Sequence, residues 1–131
     1  MIKLSIATGA ALLALTTASF AEGDAALGEK VFKKCAACHA VGPDAKNKVG
    51  PVLNGVVGRG IATVADFKYS PAMTEFGAGK VWDEATLTTY LADPKTAIPK
   101  NKMAFVGIKK DDEMKGVIAY LSKFNADGSS K

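Results

Sequence analysis

Cys35, Cys38 and His39 are the residues of this chain whose types and spacing carry the most chemistry. They stand as Cys35-Ala36-Ala37-Cys38-His39 and include the only two cysteines and the only histidine among 131 residues. Two thiols three positions apart at a helix end lie about one turn apart, so each can form a thioether with one vinyl group of a haem. The imidazole of the next residue then reaches the iron from below. A neutral imidazole that ligates through one nitrogen needs an acceptor for the N–H of the other, and a backbone carbonyl in the glycine-rich stretch that follows is the candidate. Rival chemistries fit less well. A thioredoxin-like thiol switch, with Cys35 and Cys38 free, expects a surrounding βαβ pattern that is not seen, and a zinc site lacks two further Cys or His ligands. A bare disulfide between these cysteines closes too short a loop to brace a fold.

Iron held by one histidine has a second face. With no other histidine or cysteine, that face belongs to methionine, lysine, tyrosine or no side chain at all. Beyond the N-terminal segment the methionines are Met73, Met103 and Met114. Met114 falls on the apolar face of the last helical stretch, where a core role is the ordinary one. Met103 lies in Ile98-Pro99-Lys100-Asn101-Lys102-Met103-Ala104-Phe105-Val106-Gly107, a loop that can lay one thioether over a cofactor. Spacing alone leaves the choice of ligand open.

Short helices must position these groups. The pattern predicts a helix from Asp24 to about Ala37, capped by Asp24, with Gly28, Val31 and Phe32 on one side. Glycines and prolines recur between Val41 and Gly60, which predicts an irregular wrapping loop. Ser70-Pro71 predicts a short helical turn closed by Gly77 and Gly79. Asp83 caps a helix over Glu84 to Asp93 that Pro94 stops, with Leu87, Tyr90 and Leu91 apolar, and Pro99 begins another loop. Asp111, Asp112 and Glu113 start the last helix, whose apolar face is Met114, Val117, Ile118 and Leu121 and which ends near Asn125. No period-two segment is convincing. An all-α single small domain is expected, with three or more short helices and long loops wrapped around one buried cofactor.

The first residues read as a signal peptide: Lys3, an apolar run from Leu4 to Leu15, and small Ser19 and Ala21 placed for cleavage before Glu22. The run is too short for a spanning helix. The expected organisation is a cleaved segment 1–21 and one domain over 22–131, periplasmic and without a membrane anchor. Net charge is +4 for the whole chain. Loss of Lys3 leaves 16 basic against 13 acidic residues, a net of +3. The basic residues are scattered, with no stripe interleaved with stacking aromatics, so nucleic acid is not an expected partner.

The chain resembles the class I cytochromes c, and among them the bacterial cytochrome c2 kind. The residues that carry the resemblance are the haem motif, Gly50-Pro51-x-Leu53-x-Gly55-x-x-Gly58-Arg59, Phe67-x-Tyr69, Trp82, Tyr90-Leu91 with Pro94, Pro99-x-x-Lys102-Met103-x-Phe105, and Ala119-Tyr120-Leu121. The resemblance implies that one haem c is attached through Cys35 and Cys38, with His39 and Met103 as the iron ligands and the Pro51 carbonyl accepting the His39 proton. It implies that Arg59, Tyr69 and Trp82 bury or hydrogen-bond the haem carboxylates, that Tyr90 lies near the methionine sulfur, and that Gly28, Phe32 and Tyr120 sit where the first and last helices cross. Two residues depart from the pattern: Met73 replaces an asparagine common beside an internal water, and Lys100 replaces a common glycine.

The function so implied is electron transport, not enzymic catalysis. A monomeric carrier would take electrons from a cytochrome bc complex and pass them to a photosynthetic reaction centre or terminal oxidase. It would dock transiently through Lys34, Lys95, Lys102, Lys109 and Lys110 around the haem edge. The alternative is a haem protein with an open distal site, a peroxidase or gas binder, for which no second histidine is available as a distal helper.

Overall fold

A computed structural model describes residues 23–131 together with Gly9, so the expected signal segment lies outside the described residues apart from that glycine. Five helices follow in order: α1 (Ala25–Phe32), α2 (Pro71–Gly77), α3 (Glu84–Ala92), α4 (Pro94–Ala97) and α5 (Asp111–Leu121). Among the described residues β-pairing is confined to isolated bridges, Gly60 with Val81 and Phe124 with Ser130.

Side-chain caps set where most of these helices begin. Asp24 accepts from Ala26 N and Leu27 N, Ser70 Oγ from Met73 N, and Asp83 from Thr86 N, each closing a backbone donor that the first turn leaves free. Proline at the first position of α2 presets the helical φ without losing a hydrogen bond. The last helix has no side-chain cap; Asp111, Asp112 and Glu113 supply negative charge at its N-terminus instead.

The structure corrects three expectations. Helix α1 stops at Phe32, not near Ala37, and residues 33–38 continue as successive turns. Backbone bonds from Cys35 N to Phe32 O (2.7 Å) and from His39 N to Cys35 O (2.8 Å) hold this coil, so the cysteines sit on a chain of turns. Pro94 ends α3 but also begins α4, because Asp93 accepts from Thr96 N (3.3 Å) and Thr96 Oγ1 (2.7 Å) and acts as a new cap. The last helix ends at Leu121 with Ser122 as its C-cap, a turn before Asn125.

Helices α1 and α5 cross at two glycines. A Cβ on Gly28 would run into the Gly116 carbonyl, and one on Gly116 would lie 2.9 Å from Asp24 O. Beside this contact the Phe32 and Tyr120 rings stack at 5.5 Å. The core is small and continuous, with Val117 (1% exposed) at its centre and Met114 and Ile118 behind it. It closes under the long loops rather than between the helices alone.

Candidate functional site

All nine residues singled out from the sequence, Cys35, Cys38, His39, Pro51, Arg59, Tyr69, Trp82, Tyr90 and Met103, line one cavity of about 260 Å³. Its walls are core side chains, among them Phe32, Val56, Leu87, Val117 and Leu121. Of the nine, only Tyr90 belongs to a helix; the others stand on turns and loops.

His39 is held by the loop that carries Gly50 and Pro51. Its Nδ1 lies 2.7 Å from Pro51 O, and since a carbonyl only accepts, Nδ1 carries the hydrogen and Nε2 keeps its lone pair. Burial pulls the imidazole below its usual pKa, opposed by the Pro51 bond and assisted by the positive charges of Arg59 and Lys48, so the ring is neutral at neutral pH. From the same loop, a Cβ at Gly50 would run into Cε1 and lie 2.7 Å from Nδ1 and 2.8 Å from Nε2, so only glycine lets the loop pass this close. Cys35 and Cys38 are half-buried and not joined to each other, and burial raises the Cys35 thiol above its ordinary value, with Lys34 opposing.

Arg59 is drawn into the loop that follows. Its Nη1 donates to Val52 O (2.8 Å) and Asn54 O (3.0 Å), whereas its buried Nε has no partner within the protein. Burial lowers its pKa, with Tyr69 opposing, which marks a cation placed for an anion that the protein itself does not supply. Tyr69 uses its hydroxyl oxygen to accept from Val64 N (3.1 Å), leaving its hydrogen to give. Trp82 packs on Tyr90 at 5.0 Å and ties its backbone to the Arg59 loop through Trp82 N to Arg59 O (2.8 Å).

Met103 reaches the cavity from the loop after α4. The Tyr90 hydroxyl lies 3.8 Å from its Sδ and 3.4 Å from Asn101 Oδ1. Burial pushes the Tyr90 phenol up to about 12, so it remains a hydrogen donor throughout the physiological range. Met73 also lines the cavity, and Lys100 sits at φ +68, the left-handed region that glycine adopts more readily. Lys34 and Lys102 line the same cavity, whereas Lys109 donates its ammonium to Ala92 O (2.6 Å) at the end of α3.

Three residues escaped the sequence pattern. Asn54 is buried and clamps Gly42 with two bonds, Gly42 N to its Oδ1 and its Nδ2 to Gly42 O, both 2.9 Å. Asn101 is the second, its side-chain amide bonded to Pro94 O, Ile98 O and Met103 N. Gly116, opposite Gly28, is the third, and a glycine inside an otherwise apolar helical face was its only signal.

The donor set can be tested against haem c. Two thiols near one imidazole suit two thioethers and one iron ligand, the thioether of Met103 lines the same cavity, and the buried unpartnered Arg59 Nε suits a carboxylate. The apolar walls suit the macrocycle. The residues present fit the group.

Comparison with known proteins agrees. The family model for cytochrome c matches residues 25–125. The chain is 49% identical over 123 residues to cytochrome c2 of Blastochloris viridis, covering 94% of this chain and 95% of that one. It is 52% identical over 108 residues to cytochrome c2 of Rhodoplanes tepidamans, covering 82% and 99%. Among solved structures, cytochrome c2 from Rhodospirillum centenum superposes with a TM-score of 0.73 at 42% identity, covering 79% of this chain and 99% of that one. Cytochrome cH from Methylobacterium extorquens gives 0.69 at 46%, covering 76% and 97%. The chain therefore belongs to the cytochrome c family, as a class I member of the cytochrome c2 kind that holds one covalent haem c and carries electrons rather than catalysing a reaction.

Proposed function

We propose that this protein is a periplasmic shuttle, released by cleavage before Glu22, that takes single electrons from a cytochrome bc complex and gives them to a photosynthetic reaction centre or terminal oxidase. His39, through Nε2, and Met103, through Sδ, would hold the haem iron. The observation that carries this is that a neutral imidazole with a fixed Nδ1 hydrogen and a thioether held beside a phenol line the same cavity. With both positions taken by the protein, substrate has no place on the metal.

Bound there, haem c supplies reversible one-electron exchange between ferrous and ferric iron. The chain contributes the rest. Pro51 holds the His39 ring in one tautomer and makes it a better donor. Tyr90 donates toward the Met103 sulfur, which limits its donation to iron and favours the ferrous state. Arg59 and Tyr69 offer donors to the haem carboxylates, Trp82 closes the wall beside them, and the apolar core excludes water, so little has to rearrange when the charge changes.

Docking uses lysines at and beside the cavity, of which Lys102 gives its ammonium to Lys68 O only at 3.5 Å. Lys34 and Lys102 line the cavity, and Lys95 stands exposed on α4. These are offered to acidic surfaces of membrane complexes, giving a fast, salt-sensitive and short-lived encounter. No helix among the described residues is long and apolar enough to cross a membrane.

The test has three arms. Pyridine haemochrome analysis should show covalent haem c, and the mature periplasmic protein should begin at Glu22 by mass. Carbon monoxide added to the reduced protein at neutral pH should combine slowly, and prompt combination would refute the two-ligand assignment. Oxidation by a reaction centre or oxidase should slow as salt rises, and salt-independent association would refute the docking assignment.

A further inference from the structure

We infer that Asn101 is the positioning residue of the methionine loop: its side-chain amide fixes Met103 and, through Tyr90, governs how firmly the thioether is held at the iron. The inference rests on Met103 being an axial ligand, as proposed above.

Every hydrogen-bonding position of this one amide has a partner in reach. Nδ2 donates to Pro94 O and Ile98 O, both at 2.8 Å, while Oδ1 accepts from Met103 N at 2.8 Å and lies 3.4 Å from the Tyr90 hydroxyl. An asparagine has two donor hydrogens and two acceptor lone pairs, so three positions are filled and the fourth faces the phenol. The orientation follows from the partners. Turned over, Oδ1 would face two carbonyl oxygens and the NH2 would face the Met103 N–H.

Each partner has a reason to be there. Pro94 O and Ile98 O each accept one backbone amide, from Ile98 N (3.0 Å) and Asn101 N (3.2 Å), which leaves each carbonyl a second lone pair. Asn101 takes up both of these, in and just after α4, and so anchors the base of the loop. Two residues on, it takes the Met103 amide, which fixes the backbone that carries the thioether. Lys100, the residue before, sits at φ +68, so the anchor also holds a lysine in a conformation that side chains rarely adopt.

The link to Tyr90 makes Asn101 more than a loop staple. The phenol has one hydrogen and two acceptors in reach, Asn101 Oδ1 at 3.4 Å and Met103 Sδ at 3.8 Å. Donation to Asn101 leaves the sulfur free to give its density to iron. Donation to sulfur weakens that bond. The side chain that fixes the Met103 backbone therefore also competes for the hydrogen that tunes its sulfur.

Other residue types cannot do this. Aspartate, nearly the same size, puts an oxygen against the Pro94 and Ile98 carbonyls. Threonine and serine have one donor for two carbonyls. Glutamine is one methylene too long.

The experiment uses the haem-loaded protein and its Asn101→Ala, Asn101→Asp and Tyr90→Phe variants. The readouts are the rate of carbon monoxide combination with the ferrous form, the methionine-to-iron absorption band of the ferric form, the reduction potential and the melting temperature. Asn101→Ala should speed carbon monoxide combination at least threefold and weaken the band. In the double-mutant cycle with Tyr90→Phe the changes in potential should not add. A carbon monoxide rate changed less than threefold, whatever happens to the melting temperature, overturns the inference and leaves Met103 as a ligand untouched. Prompt combination in the wild type overturns both.

Wild type alone gives an independent check if the variants fail to mature. The Met103 amide and the two Asn101 side-chain amide hydrogens should exchange slowly with solvent by NMR, although Lys100 and Lys102 on either side are exposed. Fast exchange of these three hydrogens overturns the inference.

Discussion

Replacing Gly50 with alanine should raise the reduction potential through the ring of His39. A Cβ at Gly50 runs into His39 Cε1 and lies 2.7 Å from Nδ1 and 2.8 Å from Nε2, whereas an ordinary contact begins near 3.4 Å, so ring and loop must part by about 1 Å. The Nδ1 to Pro51 O distance is 2.7 Å, and the same displacement along that bond stretches it to about 3.7 Å, beyond a good N–H···O geometry. Ferric iron makes the Nδ1 hydrogen more acidic than ferrous iron does, so the lost bond had favoured the ferric state. A net hydrogen bond contributes about 0.5–1.5 kcal/mol. If that whole amount belonged to the ferric form, the potential would rise by roughly 20–60 mV, since about 1.4 kcal/mol is 59 mV for one electron. Stability should fall by about 1–3 kcal/mol from the overpacking. The assay is redox titration with a melting curve on the same sample. Gly58→Ala is the control: Gly58 has φ +87 and nothing within 4 Å of its Cβ, so it should lower the melting temperature by backbone strain and leave the potential unchanged. Gly50 is not in the left-handed region, so its effect is steric. A potential that falls or does not move in Gly50→Ala refutes the reasoning.

Other positions separate stability from function. Gly28→Ala should destabilise by about 1–3 kcal/mol, less the roughly 1 kcal/mol of helix propensity regained, because its Cβ meets the Gly116 carbonyl; chemical denaturation should show this with an unshifted potential. Asp83 has its carboxyl pKa held below the ordinary value of 3.8 by the Thr86 hydrogen bonds, so its contribution is present above the unfolded pKa and lost as pH falls through the folded one. Asp83→Ala should therefore melt earlier than wild type at neutral pH, with the difference vanishing in strong acid. Lys102→Gln should slow oxidation by a membrane partner and flatten its salt dependence, whereas Lys109→Gln, whose ammonium is already given to Ala92 O, should mainly lower the melting temperature.

How much could be read from sequence depended on whether a residue acts through its neighbours in the chain. Asp24, Ser70 and Asp83 cap helices by reaching two or three residues ahead, and their positions follow from local pattern alone. The Cys35 to His39 motif is local in the same sense. Met114, Val117, Ile118 and Leu121 fell to the core because the spacing of α5 puts them on one face. The failures lie where two segments meet. Asp93-Pro94 has both a cap and a proline for a helix start, but the stop that proline imposes on α3 masked the start of α4. The length of α1 was overestimated because alanines at 36 and 37 favour helix, whereas the turn through Cys35 and His39 is set by the loop that brings Pro51 beneath the ring. Lys109 read as one of several exposed lysines until Ala92 O was placed beside it. Asn54 and Asn101 in loops are ordinary turn residues until the carbonyls opposite them are known.

This division explains the design of the site. Core residues such as Phe32, Leu87, Val117 and Leu121 belong to helices and form the cavity walls, and the same side chains are the main hydrophobic core, so binding the cofactor and completing the fold bury the same surface. Groups that set the chemistry come almost wholly from loops, which would be mobile without further ties. Asparagine supplies them. Asn47 takes Val52 N and gives to Ala65 O, Asn54 brackets Gly42, and Asn101 joins Pro94, Ile98 and Met103. Each amide offers both donor and acceptor without a charge, so it can hold two backbone segments near the iron without shifting its potential by a nearby charge. A lysine or aspartate could hold a loop as well, but only by placing a charge there. Arg59 is the buried charged residue among the nine that line the cavity, and its unpartnered Nε is where an anionic part of the cofactor would be met. Neutral amides thus carry much of the loop anchoring, and the charged ties, Lys48 to Ala36 O, Arg59 to Val52 O and Asn54 O and Lys109 to Ala92 O, add to it.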